Sequence, residues 1–176
     1  ATADPSAALR NRMLGHVASV VERYAGRIES WDVVNEPLAF TSGNLDPANP
    51  YYRHLGPEFL AEAFRAARAA DPNARLFLNE VTTEWIPAKF AGLMSLVEGL
   101  LADGVPIDGI GLQGHFLFAR PDRASLTSNL QAIAALGLAV EITELDIPLV
   151  LFANEPDPLA AQAAAYVDVF AACLAV

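Results

Sequence analysis

Apolar residues recur along the chain at two spacings that alternate. From Ser6 to Tyr24, the residues Leu9, Met13, Leu14, Val17, Val20, Val21 and Tyr24 return at helical spacing and form one apolar face. A short strand follows from Trp31 to Asn35, inside WDVVNEPL. Proline biases the residue before it towards an extended backbone, so Glu36 is read as the last residue of this strand. The loop TSGNLDPANP leads through Tyr51 and Tyr52 to a helix from about Pro57 to Ala70. RLFLN at 75–79 is the second strand, Pro87 to Ala102 a helix, and IDGIGLQ at 107–113 the third strand. Ser125 to Leu136 is then a helix, LAVEITEL at 138–145 the fourth strand, and Pro158 to Ala175 the last helix.

Strands and helices alternate throughout, and the strands read as apolar on both faces. That combination predicts the α/β class, with a parallel sheet covered by helices. Strand starts near 31, 75, 107 and 138 give one βα unit each, the first enlarged by its loop. Two architectures share the pattern: an open four-stranded sheet, and part of an eight-stranded βα barrel, which in full takes ~250 residues. With no linker or low-complexity tract, residues 1–176 form a single domain.

Composition narrows the partners. Hydrophobic residues make up 53% of the chain, enough for a sizeable core. The formal charge of -10 and the single lysine, Lys89, argue against a phosphate-binding surface, so nucleic acid is not an expected partner. No segment reaches the ~20 apolar residues of a membrane-spanning helix, and no membrane partner is expected. The first residues, ATADPSAALR, lack a signal peptide's basic end and apolar run. They also lack an initiator methionine, which leads to the expectation that the chain begins after processing or part way through a longer gene product. Cys173 is the only cysteine, which leaves no intrachain disulfide; it is read as a small buried residue in a helix.

Polar residues gather at the predicted C-terminal ends of the strands: Asn35 and Glu36, Asn79 and Glu80, Gln113 and His115, Glu144 and Asp146. In α/β folds this is the edge where sites are built. Glu36 alone is as well explained by a turn cap, and His115 alone by a satisfied core histidine. A carboxylate inside the apolar run AVEITELDIP, however, has to be paired or shifted in pKa. Asp146, two residues beyond Glu144, lies on the same face of an extended strand, so one histidine could orient both. Two carboxylates in different environments are the minimum for glycoside hydrolysis. Across a flat sheet the first and fourth strands lie about 14 Å apart, whereas a retaining glycosidase needs its carboxyls ~5 to 5.5 Å apart, so only a curved sheet suits that chemistry.

WDVVNEPL, GIGLQGHF and ITELDIP, in this order and separated by βα units, resemble glycoside hydrolase family 10, whose members are chiefly endo-1,4-β-xylanases; ARAADPNARLFLNE adds a fourth matching stretch. The resemblance covers essentially the whole chain. It implies a partial (β/α)8 TIM barrel, strands four to seven of eight, from a retaining enzyme that hydrolyses internal β-1,4 bonds of xylan. By the family pattern Glu36 is the acid/base and Glu144 the nucleophile. His115 and Asp146 support Glu144, and Asn35, Gln113 and Asn79 contact substrate or catalytic groups. No metal or cofactor is implied; xylan or xylo-oligosaccharide is the expected partner, and secretion the expected localisation. His16 and His54 receive no role.

The chain departs from the family after the second strand, where Asn79-Glu80-Val81 lacks the usual third-position aromatic. Trp85 and Phe116 are the nearest replacements as a sugar platform, set against a core or rim role for each. The family's first three strands and its eighth have no counterpart. Two further readings therefore stand beside the xylanase: a half-barrel inactive alone, able to self-associate through its open sheet edges, and a related retaining β-glycanase of different sugar preference.

Overall fold

The computed structural model describes residues 4–176. α1 (Pro5–Arg23) starts where Asp4 accepts a hydrogen bond from the Ser6 amide and Pro5 occupies the first turn, a common helix start. β1 (Ser30–Asn35), α2 (Pro50–Leu55), α3 (Glu58–Ala70), β2 (Arg75–Glu80) and α4 (Pro87–Ala102) follow. Next come β3 (Gly109–Leu112), α5 (Arg123–Ala135), β4 (Ala139–Ile142), a 3-10 turn over Leu149–Phe152 and α6 (Pro158–Cys173).

All three strand pairings are parallel and the order is β1-β2-β3-β4. This order decides between the two architectures left open by the sequence. A doubly wound open sheet reverses direction at a switch point so that helices cover both faces. Sequential strands joined by crossovers of one hand place every helix on one face, as in a barrel wall. The core lies on that face: Leu76 and Leu78 of β2, Ile110 and Leu112 of β3, Leu60 and Phe64 of α3, and Leu93 and Val97 of α4 are all buried in one cluster.

The other face is polar towards the C-terminal ends of the strands, with Phe77 buried two residues before Asn79. Paired positions across it run Asn35, Asn79, Gly111 and Glu141, one from each strand. The expectation of strands apolar on both faces therefore holds only for the central pair in part, because this side carries the residues a barrel points towards its axis.

Three local readings are corrected. Glu36 is not extended: its φ is +51°, in the left-handed region, and β1 stops at Asn35. The loop after β1 contains an additional helix, α2, started by Asn49, whose side chain accepts from the Tyr51 and Tyr52 amides. Cys173 is exposed on the last turn of α6 rather than buried. Strands three and four are also shorter than the apolar runs suggested, because their last polar residues belong to turns held by isolated bonds. The Glu144 amide donates to the Gln113 carbonyl, and His115 pairs with Asp146 in a single bridge.

Candidate active site

The polar residues at the ends of the four strands meet on one rim. Parallel register sets Asn35 beside Asn79, and Asn79 beside Gly111. A methyl group at Gly111 would overlap Asn79 Oδ1, so the missing side chain leaves room for the Asn79 amide to reach across β3. That amide donates to Asn35 Oδ1 at 3.0 Å and to Glu144 Oε1 at 2.8 Å, while its own oxygen accepts from Thr143 Oγ1 at 2.8 Å. Asn79 is 2% exposed and its donors are both engaged. Asn79 thus contacts Glu144 and Asn35 directly.

Gln113 makes the matching connection on the other side. Its Nε2 donates to Glu36 Oε1 at 2.9 Å and to Asn35 Oδ1 at 3.2 Å. The two glutamates at opposite ends of the sheet are thus joined by three amide side chains, in the order Glu36, Gln113, Asn35, Asn79, Glu144. Curvature of the sheet makes this possible: a flat one would separate β1 from β4 by about 14 Å.

His115 stands between two carboxylates. Its Nε2 lies 3.3 Å from Glu144 Oε2 and its Nδ1 3.0 Å from Asp146 Oδ2. The backbone places it there, because the Phe116 amide donates to the Asp146 carbonyl and the Asp146 amide to that of Gly114. Burial disfavours the imidazolium, but the Asp146 and Glu144 carboxylates outweigh it, so the His115 pKa is raised above the ordinary histidine value. The shared histidine expected from the Glu144 and Asp146 spacing is present, although neither carboxylate belongs to a strand.

Glu144 itself is not enclosed: its side chain is 43% exposed. The burial inferred from its apolar neighbours fails because those neighbours face the helices while Glu144 faces the open side of the sheet. Farther along that side, Asp32 is held above the usual carboxylate range by desolvation and by the nearby Glu141 and Glu144. Arg75 pairs with Glu141 at 3.3 Å.

Of the two aromatics considered as platforms, Phe116 is 1% exposed and belongs to the core. Trp85 is partly buried, donates from Nε1 to the His115 carbonyl at 3.3 Å, and meets Phe118 edge-on at 6.2 Å between ring centroids. Phe118, 72% exposed, went unremarked in the sequence, where nothing sets it apart from a core residue.

Glu80 does not join the rim. It faces the helices, fully buried, 2.8 Å from Lys89 of α4. A lone lysine in the largely apolar PAKFAGLMSLVEGLLA was the available signal, since a buried cation demands a carboxylate. Thr143 was also missed; its position two residues beyond Glu141 on an extended chain puts it on the same face.

Comparison with known proteins accords with this geometry. The family model for glycosyl hydrolase family 10 matches residues 2–176. Endo-1,4-beta-xylanase C of Phanerodontia chrysosporium is 40% identical over 169 residues, which cover 96% of this chain and 42% of that protein. Endo-1,4-beta-xylanase A of Cellvibrio japonicus is 43% identical over 157 residues, 83% of this chain and 26% of that protein. Native xylanase 10B from Thermotoga maritima superposes with a TM-score of 0.87 at 37% identity, covering 96% of this chain and 52% of that one. A family 10 xylanase from Bispora sp. MEY-1, solved with xylobiose, gives 0.88 at 30% identity, covering 99% and 54%. The chain spans about half the length of these structures, and four parallel strands alternating with helices make it a partial (β/α)8 barrel. The chain belongs to glycosyl hydrolase family 10.

Proposed function

We propose that this chain carries the catalytic pair of a retaining endo-1,4-β-xylanase acting on xylan or xylo-oligosaccharides, with Glu36 as acid/base and Glu144 as nucleophile. The observation that carries the proposal is the amide bridge linking these two carboxylates on one rim. Names of relatives support the substrate: those above are endo-1,4-beta-xylanases, and a xylanase 10B from Thermotoga petrophila was solved in complex with xylobiose.

In the first step a Glu144 oxygen attacks the anomeric carbon while Glu36 gives its proton to the departing glycosidic oxygen, leaving a glycosyl ester on Glu144. In the second step Glu36, now ionised, takes a proton from water, and that water attacks the ester and releases the sugar with its configuration retained. Gln113 occupies Glu36 Oε1, which leaves Oε2 to carry the transferred proton. Asn79 and His115 orient the two oxygens of Glu144, and Asp146 orients His115 in turn. No step calls for a metal or cofactor.

The assay is release of reducing ends from xylan, by a complete barrel carrying these residues, against its Glu36→Ala and Glu144→Ala variants. Loss in both, with retained anomeric configuration in the products, is the expected result; full activity in the Glu144 variant would sink the assignment. Product analysis on xylan, cellulose and mixed-linkage glucan separates the related β-glycanase reading. Secretion is proposed with the activity, since polymeric xylan stays outside the cell, and fractionation of a producing culture tests it.

One observation favours a second reading for the 176 residues alone. The face bearing Glu144 is open to solvent and both sheet edges lack a neighbouring strand among the described residues. We propose that the isolated chain is inactive and self-associates, so xylan hydrolysis by a monomeric preparation of it would refute this.

A further inference from the structure

Two carboxylates, Glu80 at the end of β2 and Glu84 in the segment joining β2 to α4, take no part in the chemistry just described, yet both are buried. Glu80 is 0% and Glu84 is 5% exposed. Burial holds both above the ordinary carboxylate range, although hydrogen bonds and Lys89 pull the other way. Carboxylates are kept in such surroundings only where donors converge on them. Glu80 has them from Lys89, Val81 and the turn after β1, whereas Glu84 has one from the turn after β3 and its Oε2 has no partner among the described residues.

Glu80 Oε1 lies 2.8 Å from Lys89 Nζ and accepts from the Val81 amide at 2.9 Å. Its Oε2 accepts at 3.0 Å from the amide of Leu38, two residues beyond Glu36. The Glu36 amide donates to the Asn79 carbonyl at 3.0 Å, and Thr82 Oγ1 donates to the Phe40 carbonyl at 2.9 Å. Alternate residues 36, 38 and 40 are thereby fastened to the end of β2 and the turn that follows it. Such fastening is what a left-handed glutamate requires. Glu36 at φ +51° and Thr82 at +63° are the two non-glycine residues with positive φ among the described residues, a conformation that persists only when its surroundings enforce it.

Glu84 grips the opposite neighbour. One of its oxygens accepts from the amide of Gly114, which has φ +77° and separates Gln113 from His115. Gln113 reaches Glu36 and His115 reaches Glu144, so this bond, beside the backbone bonds to Glu80 and Asp146, holds the turn that carries both side chains.

We propose that Glu80 and Glu84 are positioning residues: through the Leu38 and Gly114 amides, one segment sets the placement of Glu36 on one side and of Gln113 and His115 on the other. The inference rests on reading Glu36 as acid/base. A role confined to core stability would predict no selectivity in the chemistry, and that difference can be measured.

In a complete barrel carrying this chain, Glu80→Gln keeps the side chain's shape but cannot accept from Val81 and Leu38 while also pairing with Lys89. Aryl β-xylobiosides with good and poor leaving groups separate the effects, since only poor leaving groups need the acid's proton. Glu80→Gln is expected to lower kcat/KM, which reports the first step, about tenfold or more for the poor leaving group and to leave that of the good one within about twofold. Glu84→Gln is expected to lower both alike, because His115 faces Glu144. Amide exchange should rise at Leu38 only in the first variant and at Gly114 only in the second. Equal loss for both substrates in a folded Glu80→Gln protein, or no loss, overturns the proposal. Should that variant not fold, Thr82→Ala removes the Phe40 bond without touching a buried charge; it must show the same selectivity in weaker form, and its absence overturns the proposal equally. If Glu36→Ala itself shows no leaving-group selectivity, the acid/base assignment falls. Exchange at Leu38 and Gly114 then decides the clamp by itself, protection unchanged in the variants counting against it.

Discussion

Asn79 donates to Glu144 across the width of β3, with 2.8 Å between Nδ2 and Oε1, although the two residues stand 65 apart in the chain. Nothing else among the described residues donates to that oxygen. Replacing Asn79 with alanine leaves Glu144 Oε1 without its protein donor and Asn35 without one of two. Hydrogen bonds to charged groups contribute about 1.5–3 kcal/mol, so kcat in a complete barrel should fall about 10- to 100-fold with KM little altered. Steady-state kinetics on a xylo-oligosaccharide check it, and a change confined to KM would mean that Asn79 contacts sugar after all.

Gly111 should be intolerant of even a methyl group. A Cβ there would overlap Asn79 Oδ1 and come within 3.0 Å of Thr143 Cγ2. Gly111→Ala is expected to cost about 1–3 kcal/mol of stability by overpacking, read from urea unfolding. The same variant should lose activity in proportion to the displacement of Asn79, whereas Gly99, with open space around its would-be Cβ, should accept alanine without that loss.

His115 gives the site a pH dependence whose sign follows from its partners. Its folded pKa is raised, so its stabilising contribution is complete below the unfolded value of about 6.5 and fades as pH rises through the folded value. The stability difference between the protein and its His115→Gln variant should therefore shrink from mildly acidic pH towards alkaline pH. In NMR titration the His115 ring should turn over above about 6.5, and Asp146→Asn should lower that midpoint. An unchanged midpoint in Asp146→Asn would remove Asp146 from its proposed role.

Phe170 and Leu174 at the α6 end are 62% and 89% exposed, and an apolar groove of about 300 Å³ is lined by Leu130, Leu138, Val140, Ile142, Cys173 and Val176. Apolar surface next to an unpaired strand edge promotes association. Phe170→Lys with Leu174→Lys should shift the 176-residue chain towards smaller species in sedimentation velocity; no shift would locate the contact at the β1 edge instead.

Much of the fold was written in local pattern. Helices α1, α3, α4, α5 and α6 and all four strands follow from periodicity, because each buries one face against its neighbours and the period records which residues do so. α2 was missed because a six-residue helix held by one asparagine cap leaves no apolar repeat to read. Glu36 was misread because the bias imposed by Pro37 is local, and three bonds with Asn79, Glu80 and Thr82, at the end of β2 and just after it, overrule it.

By itself the sequence determined the α/β class, the family and the strand ends at which polar residues collect, since these depend on residue types and short spacings. Only the tertiary structure decided that the sheet is wound one way, that Asn79 serves Glu144 and that Glu80 turns to Lys89 instead of the rim. The reason is physical: which side of a strand a residue faces is set by alternation, but which residue it meets there is set by register with strands dozens of positions away. Curvature then brings Glu36 and Glu144 onto one chain of hydrogen bonds.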